Sequence, residues 1–200
     1  MTSKIYGLTV GVAILVSALG LGWPENRQAV LHADDNDWNS SYVAPYVPTP
    51  HEVVSRMLEL AEIKEGDVLY DLGSGDGRIV LAAAKTFGIR AIGFEIDPGL
   101  VEDSRQIIKQ AGLEELVEIR EQDIRTVDFS PATIVTMYLY PAANLRLRPV
   151  LMRELKGGSR VISHDFGMGS WKPDRVERVQ DTAGLSRTIY RWRIANPVGR

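Results

Sequence analysis

The sequence predicts an α/β protein with a Rossmann-like, seven-stranded, mostly parallel sheet, helices on both faces and a C-terminal antiparallel strand pair. Short apolar stretches alternate with amphipathic stretches along most of the chain, a pattern typical of parallel sheets with helical crossovers. Glycines follow the first apolar stretch, where such folds turn from strand into helix. The last two β-like stretches, residues 176–180 and 188–194, flank Gly184 and predict the antiparallel pair.

The other elements follow in chain order from the same patterns. Thr49-Pro50-His51-Glu52 has the pattern of an N-cap, a first-turn proline and a capping-box acid, and predicts a helix before the first strand. Further helices are predicted over 78–87, from Asp97-Pro98 to Gly112, and over 142–155. Strands are predicted over 68–70, 91–96, 117–121, 133–139 and 160–163.

Composition limits the classes of protein to which the chain can belong. Its 200 residues, 44% of them hydrophobic, suffice for one domain with a substantial core. A formal net charge of -3 without a basic block disfavours nucleic acid as a partner. No cysteine is present, which excludes disulfides and thiolate zinc sites, and the histidines have no metal-ligand spacing, so no metal is expected.

The N-terminal stretch is expected to lie outside the globular core. Residues 5–23 are uncharged and mostly apolar, which is long for a signal-peptide core and just sufficient for a membrane span. Residues 1–33 are therefore predicted to be a signal peptide or membrane anchor, 34–45 a polar linker and 46–200 the globular domain. The chain is thus expected to associate with a membrane, with orientation and cleavage left open.

The most informative motif is the run Asp71-Leu72-Gly73-Ser74-Gly75-Asp76-Gly77-Arg78. Its glycines let the backbone approach a ligand closely. Arg78 stands where a dinucleotide fingerprint has its third glycine, and the Gly-Lys-Ser/Thr of a phosphate loop is absent. Asp71 would repel a pyrophosphate and attract a ligand with an ammonium group. S-adenosylmethionine is such a ligand.

Acidic residues also follow the next two predicted strands. Glu95 comes about 20 residues after the glycines, where such folds hold ribose hydroxyls with a carboxylate. Asp123 follows the third strand, where a carboxylate accepts a hydrogen bond from the adenine amino group, and backbone Ile124 completes the adenine edge. Three acids after consecutive strands predict one binding site along the carboxyl edge of the sheet.

Candidate acceptor residues follow the fourth and fifth predicted strands. Methyl transfer requires an unprotonated nucleophile, and a lysine acceptor would lose its proton more readily in an aromatic slot, which lowers its pKa by desolvation. Tyr138 and Tyr140 are the candidates for such a slot, with simple packing as the alternative. Asp165 is a candidate base together with His164, although neighbours on a strand point to opposite faces unless the strand has ended.

These motifs resemble those of the seven-strand class I methyltransferases, and most closely the membrane-associated protein-lysine methyltransferases of the ATP synthase c-subunit type. The resemblance extends over most of the chain after Tyr46. It is carried by Tyr46-Val47-Pro48, residues 71–80, Phe94-Glu95-Ile96-Asp97-Pro98, residues 158–163 and Trp171. It implies that S-adenosylmethionine is contacted by Asp71, Gly73, Gly75, Glu95 and Asp123, and that Tyr46 helps to close the pocket.

The expected activity is S-adenosylmethionine-dependent methyl transfer to a protein lysine, on a protein that is possibly membrane-embedded. The Asn/Asp-Pro-Pro-Tyr motif of enzymes that methylate adenine, cytosine or glutamine is replaced by Tyr138-Leu139-Tyr140-Pro141, which disfavours those acceptors. Two alternatives stay open. One is a small-molecule or lipid methyltransferase, and the other is an inactive cofactor-binding module.

Overall fold

A seven-stranded sheet forms the centre of the structure, a computed structural model that describes residues 44–196. The strands are Val68–Leu72 (β1), Arg90–Glu95 (β2), Val117–Glu121 (β3), Ile134–Met137 (β4), Arg160–His164 (β5), Arg175–Gln180 (β6) and Ser186–Arg193 (β7). The helices are His51–Leu60 (α1), Arg78–Phe87 (α2), Pro98–Ala111 (α3) and Pro141–Glu154 (α4). A short 3₁₀ turn covers Ile124–Thr126.

The strand order is β3-β2-β1-β4-β5-β7-β6. The first five strands pair in parallel, and β7 runs antiparallel to both β5 and β6. The predicted fold is confirmed, including the antiparallel pair at the C-terminal end. The carboxyl ends of β1, β2, β3, β4 and β5 therefore meet along one side of the sheet, called here the carboxyl edge.

Both faces of the sheet are covered by helices, because side chains on a strand alternate between faces and most of those on the central strands are apolar. On β1, Leu69 packs with α1, α2 and α3, whereas Tyr70 packs with α4. On β4, Ile134 likewise packs on the face of α1, α2 and α3, and Val135 packs on the face of α4. The sheet is thus buried on both sides, and polar chemistry is confined to its edges.

Most predicted helix ends are confirmed. Helix α2 has the predicted bounds, and α3 begins after Asp97, whose Oδ1 accepts hydrogen bonds from Gly99 N at 2.8 Å and Leu100 N at 3.1 Å. Gly112, with a φ of 66°, ends α3.

The predicted start of α1 is wrong. Pro50 is its N-cap, without a side-chain capping bond, so the expected capping box does not form. The Thr49 hydroxyl lies instead 3.2 Å from Nδ1 of His164, across the carboxyl edge. The Thr49 hydroxyl therefore contacts a residue remote in the sequence and does not cap α1.

Strand β4 ends two residues earlier than predicted. Pairing with β1 and β5 stops at Met137, and α4 begins at Pro141. Tyr138 and Tyr140 therefore lie in the connection at the carboxyl edge and not within the ladder.

The predicted membrane localisation is contradicted by the helices of the structure. Within residues 44–196, none is long and apolar enough to cross a bilayer. The apolar stretch on which the prediction depends, residues 5–23, lies outside the described residues, as do the predicted segment 1–33 and residues 34–43 of the predicted linker.

Candidate active site

The glycine-rich loop, residues 73–77, turns the chain from β1 into α2. Gly73, Gly75 and Gly77 have φ values of 71°, 56° and 77°, a left-handed conformation that other residues rarely adopt. The amides of Gly73 and Ser74 both donate to the Phe94 carbonyl at 2.9 Å. The loop is thereby held against the end of β2, with Gly73 exposed.

Asp71 lies beneath this loop, only 2% exposed. Its Oδ1 accepts a hydrogen bond from the Thr136 hydroxyl at 2.7 Å. Burial raises the pKa of the Asp71 carboxyl to about 7, and the nearby carboxylates of Glu95 and Asp76 act in the same direction. Burial, the largest cause of the shift, therefore favours the protonated, neutral form of Asp71.

Glu95, at the end of β2, holds the loop from the other side. Its Oε2 accepts from Gly75 N at 2.8 Å, and its Oε1 accepts from Ile96 N at 2.8 Å and Asp97 N at 3.0 Å. A carboxylate offers about four acceptor positions, so capacity for one further donor remains on this side chain. A ribose hydroxyl is a donor of the required kind.

Asp123 and Ile124 lie one strand further along the carboxyl edge. Asp123 accepts from Arg125 N at 2.9 Å and pairs with the Arg125 guanidinium, which lowers the pKa of this carboxyl. Ile124 is 6% exposed and packs into the core on the α4 face. The structure thus brings Asp71 and Glu95 together around the loop and places Asp123 in a separate contact set, so its adenine contact stays a prediction.

The residues around the glycine-rich loop fit a cationic cofactor. Burial raises the pKa of the Asp71 carboxyl, and a sulfonium or ammonium group beside it would favour its charged form. Of the two nearby carboxylates, Asp76 is already paired with Arg78. Within residues 44–196, no group of three or more histidine, cysteine, aspartate or glutamate side chains could hold a metal ion.

Residues 44–50, the N-terminal strap, run across the loop before α1. A Cβ on Gly75 would lie 2.6 Å from Cε2 of Tyr46, so the tyrosine ring rests directly on the glycine. Its hydroxyl interacts with Asp76 and Arg78, and burial together with Asp76 raises its pKa to about 12. Arg78 Nη1 also donates to the Thr49 carbonyl at 2.9 Å. The Tyr46 ring therefore lies over the glycine-rich loop, and its part in closing a cofactor pocket stays a prediction.

An aromatic cluster, formed by Tyr138, Tyr140, His164 and Phe166, lies at the carboxyl ends of β4 and β5. The Tyr138 ring centroid is 3.9 Å from that of His164 and 6.1 Å from that of Phe166. The Tyr140 and Phe166 centroids are 6.4 Å apart, edge to face. Leu139 contacts the glycine-rich loop, since its Cδ2 is 3.0 Å from where a Cβ on Gly73 would lie. The cluster is thus adjacent to the loop.

A tight turn at the end of β5 completes the cluster. Asp165 has a φ of 58°, and Phe166 N donates to the His164 carbonyl at 2.7 Å, which closes a three-residue turn. The Phe166 carbonyl accepts from the Ser163 hydroxyl at 2.7 Å and from Asn144 Nδ2 at 3.1 Å. These bonds fix Phe166 beside the two tyrosines.

The same turn fastens Asp165 to β7. Its Oδ1 accepts from Thr188 N at 2.8 Å and its Oδ2 from Arg187 Nη1 at 3.3 Å. Because β5 ends at His164, Oδ2 also comes within 3.4 Å of Nε2 of His164. The side chains of His164 and Asp165 are therefore close to each other. Both oxygens of Asp165 already accept hydrogen bonds from β7, however, which favours a structural role for Asp165 over a role as a base.

Sequence patterns do not reveal four residues that shape this site: Thr49, Thr136, Asn144 and Phe166. Phe166 could have been found as a third aromatic residue at the carboxyl edge, since it follows the fifth predicted strand. The other three are polar residues whose partners lie 19 to 115 positions away in the sequence. No local pattern marks such partners.

A comparison with protein families decides the identity. The sequence model of the ANTKMT methyltransferase domain matches residues 71–175, more than half of the chain. This chain belongs to the ANTKMT methyltransferase family. It is a class I methyltransferase with S-adenosylmethionine as its cofactor, as the loop and the sheet topology had indicated.

Relatives of this ANTKMT-family chain share much of its length. A protein-lysine N-methyltransferase of Saccharolobus islandicus (strain REY15A) is 43% identical over 153 residues, covering 75% of this chain and 94% of the relative. The human lysine N-methyltransferase of the ATP synthase c-subunit is 34% identical over 155 residues, which cover 76% of this chain and 66% of the human protein. An RNA methyltransferase from Salinibacter ruber, whose crystal structure contains S-adenosyl-L-homocysteine, is 53% identical in sequence. Its structure matches with a TM-score of 0.70, and the match covers 77% of this chain and 97% of that chain.

Proposed function

We propose that this ANTKMT-family enzyme transfers the methyl group of S-adenosylmethionine to the side-chain nitrogen of a lysine in a protein. The observation that carries the proposal is the aromatic cluster adjacent to the glycine-rich loop. The names of the archaeal and human relatives support a lysine acceptor.

The chemistry of a lysine acceptor suits this cluster. A lysine in water has a pKa near ~10.4, so its nucleophilic neutral form is scarce at neutral pH. Aromatic walls disfavour the ammonium form by desolvation, while their ring faces still attract a cation during binding. When bound, the cofactor supplies an electrophilic methyl group on a sulfonium. The neutral amine of the lysine would accept this methyl group as the carbon–sulfur bond breaks, S-adenosylhomocysteine would leave, and the methylammonium product would release a proton to solvent.

Electrostatics around the cluster favour the same acceptor. Burial lowers the pKa of His164 to about 4, so its imidazole is neutral near pH 7 and does not repel a lysine. Burial raises the pKa of the Tyr138 hydroxyl, which stays protonated. In this proposal Tyr138 and Tyr140 line the lysine slot, and Asp165 fixes the turn that carries Phe166.

The cofactor is assigned to the residues around the glycine-rich loop. Asp71 pairs with the cofactor's ammonium group, Glu95 with its ribose and Asp123 with its adenine, beside backbone Ile124. The loop at Gly73 and Gly75 lets backbone lie against the cofactor, and Tyr46 closes over it.

A labelling experiment with divided samples tests the proposed acceptor. The full-length chain is incubated with methyl-labelled S-adenosylmethionine and a whole-cell extract, and portions are then treated with protease or with ribonuclease. We expect the label to be released by protease, to resist ribonuclease, and to appear as methyl-lysine after acid hydrolysis. A Glu95→Ala variant serves as the control and should add no label above that of the extract alone, since the loop loses its anchor.

Three other results would overturn the proposal. Label released by ribonuclease would identify RNA as the acceptor, the substrate class in the name of the Salinibacter relative. Label that resists both treatments and extracts with small molecules or lipids would indicate a non-polymer acceptor. Cofactor binding without any transfer would identify a binding module.

A further inference from the structure

Thr49 is in contact with both halves of the site. Its carbonyl accepts from Arg78 Nη1 at 2.9 Å, and Arg78 is paired with Asp76 of the glycine-rich loop. Its hydroxyl lies 3.2 Å from Nδ1 of His164, on the acceptor side. Thr49 is only 4% exposed, so solvent does not compete for these bonds. Thr49, a buried residue of the strap, therefore joins the glycine-rich loop to β5.

His164 contacts Tyr138 as well as Thr49. It is fully buried, and Tyr138 packs on its ring with a centroid distance of 3.9 Å and an interplanar angle of 36°. Within residues 44–196, its Nε2 has no hydrogen-bond partner. Asp165 Oδ2 lies 3.4 Å from Nε2, and that carboxylate is held by Arg187, which also pairs with Asp181. The bond to Thr49 is therefore the hydrogen bond that fixes the imidazole.

We propose that Thr49 and His164 are positioning residues, and that the strap sets the place of Tyr138 in the lysine slot through them. This inference rests on the proposed lysine methyltransferase function. In this proposal the strap has two roles. It covers the glycine-rich loop at Tyr46, and it supports Tyr138 of the lysine slot. Cofactor and lysine are then aligned by one segment.

Thr49→Val tests the link, because valine keeps the shape of threonine and removes its hydroxyl. We expect kcat/KM for the protein acceptor to fall about tenfold, since small misplacements of reacting groups cost rate steeply, while the Kd for S-adenosylmethionine changes less than about twofold. The ¹⁵N resonances of the His164 imidazole should shift as the Nδ1 bond is lost. Thr49→Ser, which restores the hydroxyl, should recover both the rate and the resonances.

Thr133→Val is the matched control. Thr133, which is half-buried, donates its hydroxyl to Asp67 Oδ1 at 2.7 Å and accepts from Val68 N at 2.9 Å, but it lies at the opposite edge of the sheet. It should lower the melting temperature by a similar amount and leave kcat/KM unchanged. An equal loss of kcat/KM in both variants, or an unchanged imidazole spectrum in Thr49→Val, would overturn the inference. A wild-type chain that labels no lysine would refute the proposed function instead, and the imidazole spectra would still report the link.

Discussion

Among single residues, Asp71 shows most directly how the fold prepares the site for a cation. A carboxyl that is 2% exposed, with two other carboxylates nearby, holds a proton up to a pH of about 7. An ammonium group placed beside it would favour the charged form and displace that proton. Cofactor binding and the ionisation of Asp71 are therefore expected to be coupled.

Asp71→Asn tests this coupling. In the wild type, we expect the affinity for S-adenosylmethionine to increase as the pH rises from about 6 to about 7.5, because a larger fraction of Asp71 is then ionised. The variant should bind about tenfold or more weakly at pH 7.5, since a hydrogen bond to a charged group is lost, and its affinity should no longer depend on pH in this interval. Calorimetry across the interval measures both, and a variant that keeps the pH dependence would contradict the assignment.

The same substitution should change the stability of the cofactor-free protein in the opposite sense. The folded pKa of Asp71 lies above its ordinary value of 3.8, so the folded state binds more protons than the unfolded state between pH 3.8 and about 7. Stability from this residue is present at low pH and is lost as the pH rises through that interval. Asp71→Asn should therefore melt at a higher temperature than the wild type at pH 8, by differential scanning calorimetry. An equal or lower melting temperature would count against the raised pKa.

Among elements, the contact of the strap with the glycine-rich loop is the most constrained. Gly75 combines a left-handed φ of 56° with a tyrosine ring lying where its Cβ would be. An alanine there meets two separate costs, one from the backbone and one from Tyr46.

Gly75→Ala separates these costs when compared with Gly112→Ala. Gly112 has a φ of 66° but nothing within 4 Å of a Cβ, so its substitution carries the backbone cost alone, about 1–2 kcal/mol. We expect Gly75→Ala to lower the free energy of unfolding by more than this and to weaken cofactor binding. Adding Tyr46→Ala should recover the excess. Equal losses for Gly75→Ala and Gly112→Ala in urea titrations would show that the ring moves away freely.

In the molecule as a whole, the site and a main stabilising network lie at opposite edges of the sheet. Arg160, 8% exposed at the start of β5, donates to the Ala61 carbonyl at 2.9 Å and pairs with buried Asp67. It thereby joins the end of α1 to two strands. At the carboxyl edge, by contrast, the buried carboxyl of Asp71 has no cationic partner within residues 44–196 and is bonded by the Thr136 hydroxyl.

Arg160→Leu should therefore reduce stability without changing the site. Removing one member of a buried ion pair leaves the other uncompensated, and we expect the free energy of unfolding to fall by about 3 kcal/mol. The Kd for S-adenosylmethionine, measured below the melting temperature, should stay within about twofold of the wild type. A large loss of affinity would show that the two edges are coupled.

The sheet could be predicted from the sequence because its signals are local. Alternation of apolar and amphipathic stretches, the glycine-rich run, and the ends of α3 at Asp97 and Gly112 each depend on neighbours in the chain. The acids Asp71 and Glu95 could be placed as well, since parallel strands present their carboxyl ends at one edge.

The parts that failed depend on partners remote in the sequence. Thr49 has every local feature of a helix cap, yet it bonds His164, 115 residues away. The contacts of Asp165 with Thr188 and Arg187 of β7 depend on its left-handed backbone, which no periodicity reveals, and its part as a base stays a prediction. The failed prediction at Thr49 occurs at the site, where function and local preference conflict.

The strap has a practical consequence for anyone who shortens this protein. A fragment beginning at His51 would keep every helix and strand in residues 44–196, and the matched stretch starts later still, at residue 71. Such a fragment would nonetheless lack Tyr46 and Thr49. We expect such a fragment to be poorly active, so a shortened version of the enzyme should begin upstream of α1, the first regular element within residues 44–196.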